Sequence, residues 1–192
     1  MSIVTRHGDL GTTRLIHGRA VSKGSARVEA FGTADELGAV LGVARAHAGD
    51  DPVAARLEAL QRELFVVGAE LATLPADRAA LSTRLAASHV EALDAQVAEL
   101  EALPGLLDDW ALPGATLVGA QLDVGRTVCR RAERQVVRLV DAGEEDNLDL
   151  VAWLNRLADL LWLYARWYEL RHHADGALRA AGGQGFSSPL AG

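Results

Sequence analysis

The chain has 192 residues, enough for one domain that buries its own core without disulfides or a structural metal. It carries 26 Asp plus Glu against 19 Lys plus Arg, a net charge of −7, which argues against general binding to nucleic acid or to anionic membranes. One cysteine cannot form an internal disulfide, no window approaches the roughly 20 apolar residues of a membrane span, and Met1 to Asp9 lacks a basic stretch followed by an apolar one, so a soluble cytoplasmic protein is expected.

Residues 1–32 are rich in Gly, Thr and charge with little helical periodicity, which predicts an ordered or ligand-ordered loop. Thr33-Ala34-Asp35-Glu36 has the form of a capping box, so a first helix is expected from there to about Ala48, buried through Leu37, Val40, Leu41 and Ala44. Asp50-Asp51-Pro52 caps and starts a second, with Leu57, Leu60, Leu64, Val67 and Leu71 at helical spacing, ending near Pro75. Asp77 to Ala87 reads as a loop or a frayed turn. A third helix runs from about Ser88 to Leu103 and stops at Pro104-Gly105. Two longer ones follow, at about Ala115 to Asp141 and Asp146 to Arg171. Short connections without strand and helix alternation predict an all-α protein, an up-and-down five-helix bundle. The expected organisation is one domain over 1–174, made of the loop region 1–32 and the bundle 33–174, with a disordered Gly/Ala/Ser tail over 175–192.

Within the fourth helix Arg126, Arg130 and Arg134 recur at every fourth residue. Each such step advances about 400°, so the three share one face within roughly an 80° arc, a geometry suited to a polyphosphate. Leu122, Val128, Cys129, Val136, Val137 and Val140 interleave with them and assign the rest of the helix to a core, where Cys129 reads as a buried, inert thiol. Two readings of the row stand: anion binding, or structural pairing with Asp123 and Glu133 and with carboxylates such as Asp35 or Asp159. Structural pairing explains one or two arginines more easily than Arg126, Arg130, Arg131, Arg134 and Arg138 together, because unpaired buried guanidinium charge is costly.

Thr5 to Thr13 is built like a phosphate-cradling loop, with glycines for close backbone approach and hydroxyls and amides as donors; a bare glycine-rich turn is the alternative. It does not follow the Walker pattern. Lys23 adds a positive charge nearby, unless it is simply solvated. Asn155 interrupts an apolar helix as either a core-satisfied amide or a ligand contact. Trp110 sits in the loop before the fourth helix, to line a pocket or plug the bundle end. His172 and His173 diverge by about 100° on a helix, and none of the histidines is assigned to a metal.

Taken in order, Thr5 to Thr13, Val28 to Leu37, Trp110 to Gly114, Arg126 to Arg134 and Trp153 to Leu161 resemble the signature blocks of the ATP:cob(I)alamin adenosyltransferases of the propanediol-utilisation (PduO) type. The resemblance spans about residues 3–170. It implies a homotrimer of ferritin-like five-helix bundles, with ATP and the corrinoid bound where subunits meet. The implied reaction transfers the 5′-deoxyadenosyl group of ATP to cob(I)alamin, yielding adenosylcobalamin and triphosphate, with Mg²⁺ carried by ATP and no metal site on the protein. An adenosylcobalamin-dependent enzyme is the implied recipient of product.

Carried over by motif, the ATP site comprises Thr5, Arg6, His7, Gly8, Thr13, Arg14 and Lys23 from the loop, Arg130, Arg131, Glu133 and Arg134 from the fourth helix, and Asn155 from the fifth. Asp35 resembles an aspartate that pairs across the subunit boundary with the arginine matching Arg130. Arg130, Arg134, Asp35 and Trp110 are the residues implied to serve catalysis. Trp110 stands where the family has a phenylalanine that displaces the lower ligand of the corrinoid, Ala115 where a second glycine is usual, and His7 where a small or polar residue is commoner. A non-catalytic ATP- or cobalamin-binding escort or sensor is the alternative function, and a helical assembly protein with structural arginines is a third.

Overall fold

The computed structural model describes residues 4, 6, 8–107 and 111–174. The chain is mostly helical: among the described residues there are five α-helices, one 3-10 helix and one two-stranded hairpin. Strands β1 (Thr12–Arg14) and β2 (Ala20–Ser22) pair antiparallel with Thr13 opposite Val21, inside the segment expected to be a loop. Their turn closes through Leu15 N–H to Arg19 C=O at 2.9 Å, with Gly18 at φ +79° where only glycine is at ease.

Helix α1 (Ala26–Ala48) starts two turns before the expected capping box. Ser25 is its cap, accepting from the Val28 amide, whereas Thr33 lies inside the helix and donates its hydroxyl to Glu29 C=O at 2.8 Å. The core face already begins at Arg27 and Ala30, so packing extends the helix past the local signal. Helix α2 (Pro52–Leu71) begins as expected, with the Asp51 carboxylate accepting from the Val53 amide at 2.9 Å. The 3-10 helix Pro75–Ala80 occupies part of the stretch read as a loop or frayed turn. Helix α3 (Ala87–Glu101), α4 (Leu117–Asp141, capped by Thr116) and α5 (Leu148–Arg171, capped by Asn147) follow their expected ranges to within two residues at each end. None of the described helices is long and apolar enough to cross a membrane.

The helices pack in the order α2, α1, α4, α5, α3. Arg27 of α1 bonds to Leu71 C=O at the end of α2 and to Glu144 C=O just after α4, while Glu36 pairs with Arg131, so α1 runs antiparallel to both. Gly119 of α4 exists to admit a neighbour: a Cβ there would overlap the buried Glu169 carboxylate of α5. Leucines fill most of the seams, with Trp153 and Tyr164 fully buried among them. Each fully buried leucine contributes about 2 kcal/mol of transfer free energy.

One end of the bundle collects the hairpin, the starts of α1, α3 and α5 and the ends of α2 and α4. A buried charge network holds it. Glu145, between α4 and α5, pairs with Arg78 of the 3-10 helix and stands 3.8 Å from Arg27. Burial lowers the Arg27 pKa, against the raising effect of Glu145 and Glu144. Glu70, fully buried on α2, accepts from the Leu85 amide and the Asn147 side chain, each at 2.9 Å.

Candidate active site

The hairpin and the residues before it enclose a cavity of about 810 Å³, lined by Val4, Arg6, Gly8, Asp9, Thr12, Thr13, Arg14, Ala20 and Lys23. That volume suits a nucleotide-sized ligand. Antiparallel pairing sets Arg14 beside Ala20, while the Lys23 amide bonds to Gly11 C=O at 2.9 Å and brings the lysine back over the loop. Arg6, Arg14 and Lys23 thus converge with Asp9 as the acidic lining residue, a local positive field on an acidic chain. Gly8 lets Lys23 come this close, since a Cβ at that position would stand 2.8 Å from the flexible end of the lysine at Nζ and 3.2 Å from Thr12 C=O. Of the loop residues expected to bind ATP, Arg6, Gly8, Thr13, Arg14 and Lys23 come together; Thr5 and His7 lie outside the described residues. Thr12 and Asp9 also line the cavity and were not singled out, although both stand inside the motif.

The arginine row divides. Arg131 pairs with Glu36, Arg126 lies 3.8 Å from Asp123, and Arg138 donates to Gln135 at 3.0 Å. Arg130 and Arg134 are exposed and have no ion-pair partner among the described residues. Structural pairing therefore accounts for part of the row through Asp123 and Glu36, while Asp35 stays exposed and Asp159 pairs with Arg156 at 3.5 Å. Cys129, one position before Arg130, is fully buried and donates to Leu154 C=O at 3.1 Å. Burial pushes its thiol pKa up, with Glu133 and Asp159 adding to the effect and Arg130 opposing it. That register places Arg130 and Glu133 on the α4–α5 seam that also carries Asn155 and Asp159.

Asn155 is exposed, which overturns its reading as a core amide. Leu154, Leu157, Ala158 and Leu161 take the inward positions of α5 and leave Asn155 facing outward. Asp35 lines a second, smaller cavity of about 260 Å³ between α1 and α2, beside Gly38, Gln61 and the largely exposed Phe65. Trp110 lies outside the described residues; Leu107 and Leu112 on either side of it are half exposed.

Within one chain the cationic cavity and the arginine row do not meet. Among the described residues, none of α4 or α5 lines the cavity. Arg131 is level with Glu36, and the α4 end next to the hairpin is level with Arg27, nine residues earlier in α1, which is roughly 14 Å along the axis.

The arrangement of a cationic hairpin cavity beside a bundle with an exposed arginine row has relatives. The family model described as cobalamin adenosyltransferase matches residues 3–168. The chain belongs to the cobalamin adenosyltransferase family. It is 38% identical to the corrinoid adenosyltransferase PduO of Salmonella typhimurium over 93% of this chain, of which it spans about half the length (53%). A corrinoid adenosyltransferase of Citrobacter freundii is matched at 38% identity over 85% of this chain and 93% of its own length. The cobalamin adenosyltransferase of Cupriavidus metallidurans shares 41% identity, over 85% and 86% respectively. Among solved structures, a point variant of the PduO-type ATP:corrinoid adenosyltransferase of Lactobacillus reuteri, complexed with cobalamin and ATP, superimposes with a TM-score of 0.81 at 32% identity, covering 91% of this chain and 97% of that one. A second variant of that enzyme, complexed with ATP, gives 0.82 at 30% identity, over 91% and 98%.

Proposed function

We propose that this family member is an ATP:cob(I)alamin adenosyltransferase, which transfers the 5′-deoxyadenosyl group of ATP to reduced cobalamin and releases triphosphate. The observation that carries the reading is the cavity in which Arg6, Arg14 and Lys23 surround Gly8 and Thr13, a polyphosphate cradle in a chain that is otherwise acidic. Cob(I)alamin is itself a strong nucleophile. Its cobalt attacks C5′ of ATP, the C5′–O bond breaks, and the electron pair leaves with triphosphate, so no protein nucleophile is required.

The protein's part is electrostatic and positional. Lys23, Arg14 and the loop amides hold the phosphates, and Mg²⁺ travels with them as a partner of ATP. Arg130 and Arg134, exposed and without an ion-pair partner among the described residues, complete the site of a neighbouring copy in a homotrimer, with Arg131, Glu133 and Asn155 contributing to the same ATP site. Asp35, equally exposed and without an ion-pair partner among the described residues, faces the arginine row of the adjoining subunit. This assembly explains how a cavity and an arginine row separated along the bundle of one chain serve one ATP. Trp110 stands where the family's phenylalanine displaces the lower ligand of the corrinoid, and its larger indole either fills that face or impairs the displacement. The cytoplasm is the compartment in which this reductive chemistry proceeds, and an adenosylcobalamin-dependent enzyme receives the product.

The test is an anaerobic assay with MgATP and chemically reduced cobalamin, following the light-sensitive adenosyl–cobalt product and triphosphate. Product that depends on both substrates is the expected outcome. ATP binding without product would favour an escort or sensor, and Trp110→Phe would then separate a defective corrinoid step from a missing one.

A further inference from the structure

We propose that Arg19 and Asp77 form a positioning pair for the nucleotide cavity, a role that lies outside the residues the family motifs identify. The inference rests on the reading of that cavity as the ATP site. Arg19 is the last residue of the hairpin turn, immediately before Ala20, which lines the cavity opposite Arg14. Its guanidinium grips Asp77 bidentately, through Nε to one carboxylate oxygen and through Nη2 to the other at 2.7 Å. The pairing raises the Arg19 pKa and lowers that of Asp77, the shared hydrogen bond being the larger cause in both.

The hairpin needs such a tether. Two three-residue strands are too short to be stable alone, so the order of Arg14 and Lys23 depends on what the turn is tied to. Besides the Arg19–Asp77 pair, the turn is anchored by the buried Leu15 side chain and by the Ile16 amide donating to Ala72 C=O at 3.2 Å. The strand exit is anchored separately, because Arg27 in the first turn of α1 is bound to Leu71 C=O at 2.9 Å. Asp77 in turn stands on rigid ground. Its neighbour Arg78 points inward from the same 3-10 helix to Glu145, which also lies 3.8 Å from Arg27. One buried carboxylate therefore braces both attachments of the cavity wall, and Asp77 is the point where that bracing reaches the surface.

Without the pair, the hairpin populates conformers that must be reordered before ATP binds, and apparent affinity falls by the fraction still competent. Saturating ATP restores the order, so turnover at saturation is spared. Arg19 is half exposed, and its removal leaves the bundle core untouched.

The experiment measures ATP binding by calorimetry, KM and kcat with reduced cobalamin, and melting temperature for Arg19→Ala, Asp77→Asn, the double variant, and Lys23→Ala as a reporter of the cavity itself. Each single variant of the pair is expected to weaken ATP about five- to tenfold, with the double variant no worse than either, kcat within about twofold and melting unchanged. Weakening by Lys23→Ala with unchanged affinity in both pair variants, or additive losses in the double variant, would overturn the pair's role while leaving the ATP site standing. A melting temperature that fell in step with affinity would also overturn it, since the pair would then serve the fold and not the site. If Lys23→Ala itself bound ATP normally, the cavity reading would fall and this inference with it.

Discussion

Lys23 closes over Gly8, its Nζ at 2.8 Å and its Cε at 3.0 Å from where a Cβ at position 8 would stand. The contact shows what a side chain at position 8 would displace. A methyl group would push aside the flexible end of the lysine, not the backbone fold. Gly8→Ala is therefore expected to leave the melting temperature unchanged and to weaken ATP about tenfold, the worth of one charge-assisted phosphate contact. Calorimetric titration with ATP beside a thermal melt checks both halves.

Arg130 and Arg134 offer a separation of function from stability. Both are exposed without ion-pair partners among the described residues, so no described ion pair depends on their charge. Arg130→Ala and Arg134→Ala are each expected to keep the melting temperature of the monomer fold and to lower kcat by about 100-fold or more, as loss of a cation at a departing triphosphate does. Arg131→Ala, which breaks the pair with Glu36 on the surface, is expected to cost no more than about 1 kcal/mol of stability. Steady-state kinetics and urea unfolding on the same three proteins decide the matter; normal turnover by Arg130→Ala would refute the site assignment.

Glu145 is the carboxylate on which the hairpin end of the bundle turns. Its side chain is fully buried between Arg78 and Arg27, and it also accepts from the Asp146 and Asn147 amides, each at 3.0 Å. Glu145→Ala would remove the buried carboxylate between two guanidinium groups, leaving Arg78 only Asp146 and Arg27 only backbone carbonyls among the described residues, and is expected to cost about 3 kcal/mol. Glu99→Ala, which removes a surface partner of Arg56, is expected to cost about 1 kcal/mol or less. Equal losses in denaturant unfolding would show that burial is not what gives Glu145 its weight.

Asp51 supplies a pH signature. Burial opposes its ionisation, but the Val53 amide, His172 and Arg171 outweigh burial and hold its pKa below the usual 3.8. A carboxylate with a depressed folded pKa stabilises the protein above its unfolded pKa and loses that contribution as pH falls through the folded value. Asp51→Asn keeps the cap of α2 but not the charge. The melting-temperature gap between the parent and this variant is expected to be constant above about pH 5 and to close below about pH 4. A gap that stayed constant down to pH 3 would count against the ionised pairing.

Much of this protein can be read from its chain in one dimension. Periodicity placed α2, α4 and α5 because Leu57, Leu60, Leu64 and their counterparts repeat at the pitch of a helix, a property of consecutive residues alone. The four-residue spacing of Arg126, Arg130 and Arg134 likewise put them on one face, and the glycine-rich motif brought Arg6, Gly8, Thr13 and Arg14 into one cavity because they are neighbours in sequence. Four things belonged to tertiary structure. Helix α1 starts at Ala26 and not at Thr33, because the first two turns gain their stability from packing and from Arg27, which outweigh the local capping signal. Asn155 faces outward, since which side of an apolar helix is covered depends on where α4 and α3 lie. The division of the arginine row, with Arg131 paired to Glu36 and Arg130 and Arg134 without an ion-pair partner among the described residues, and the grip of Arg19 on Asp77 across 58 residues, depend on contacts between distant segments that no local pattern encodes.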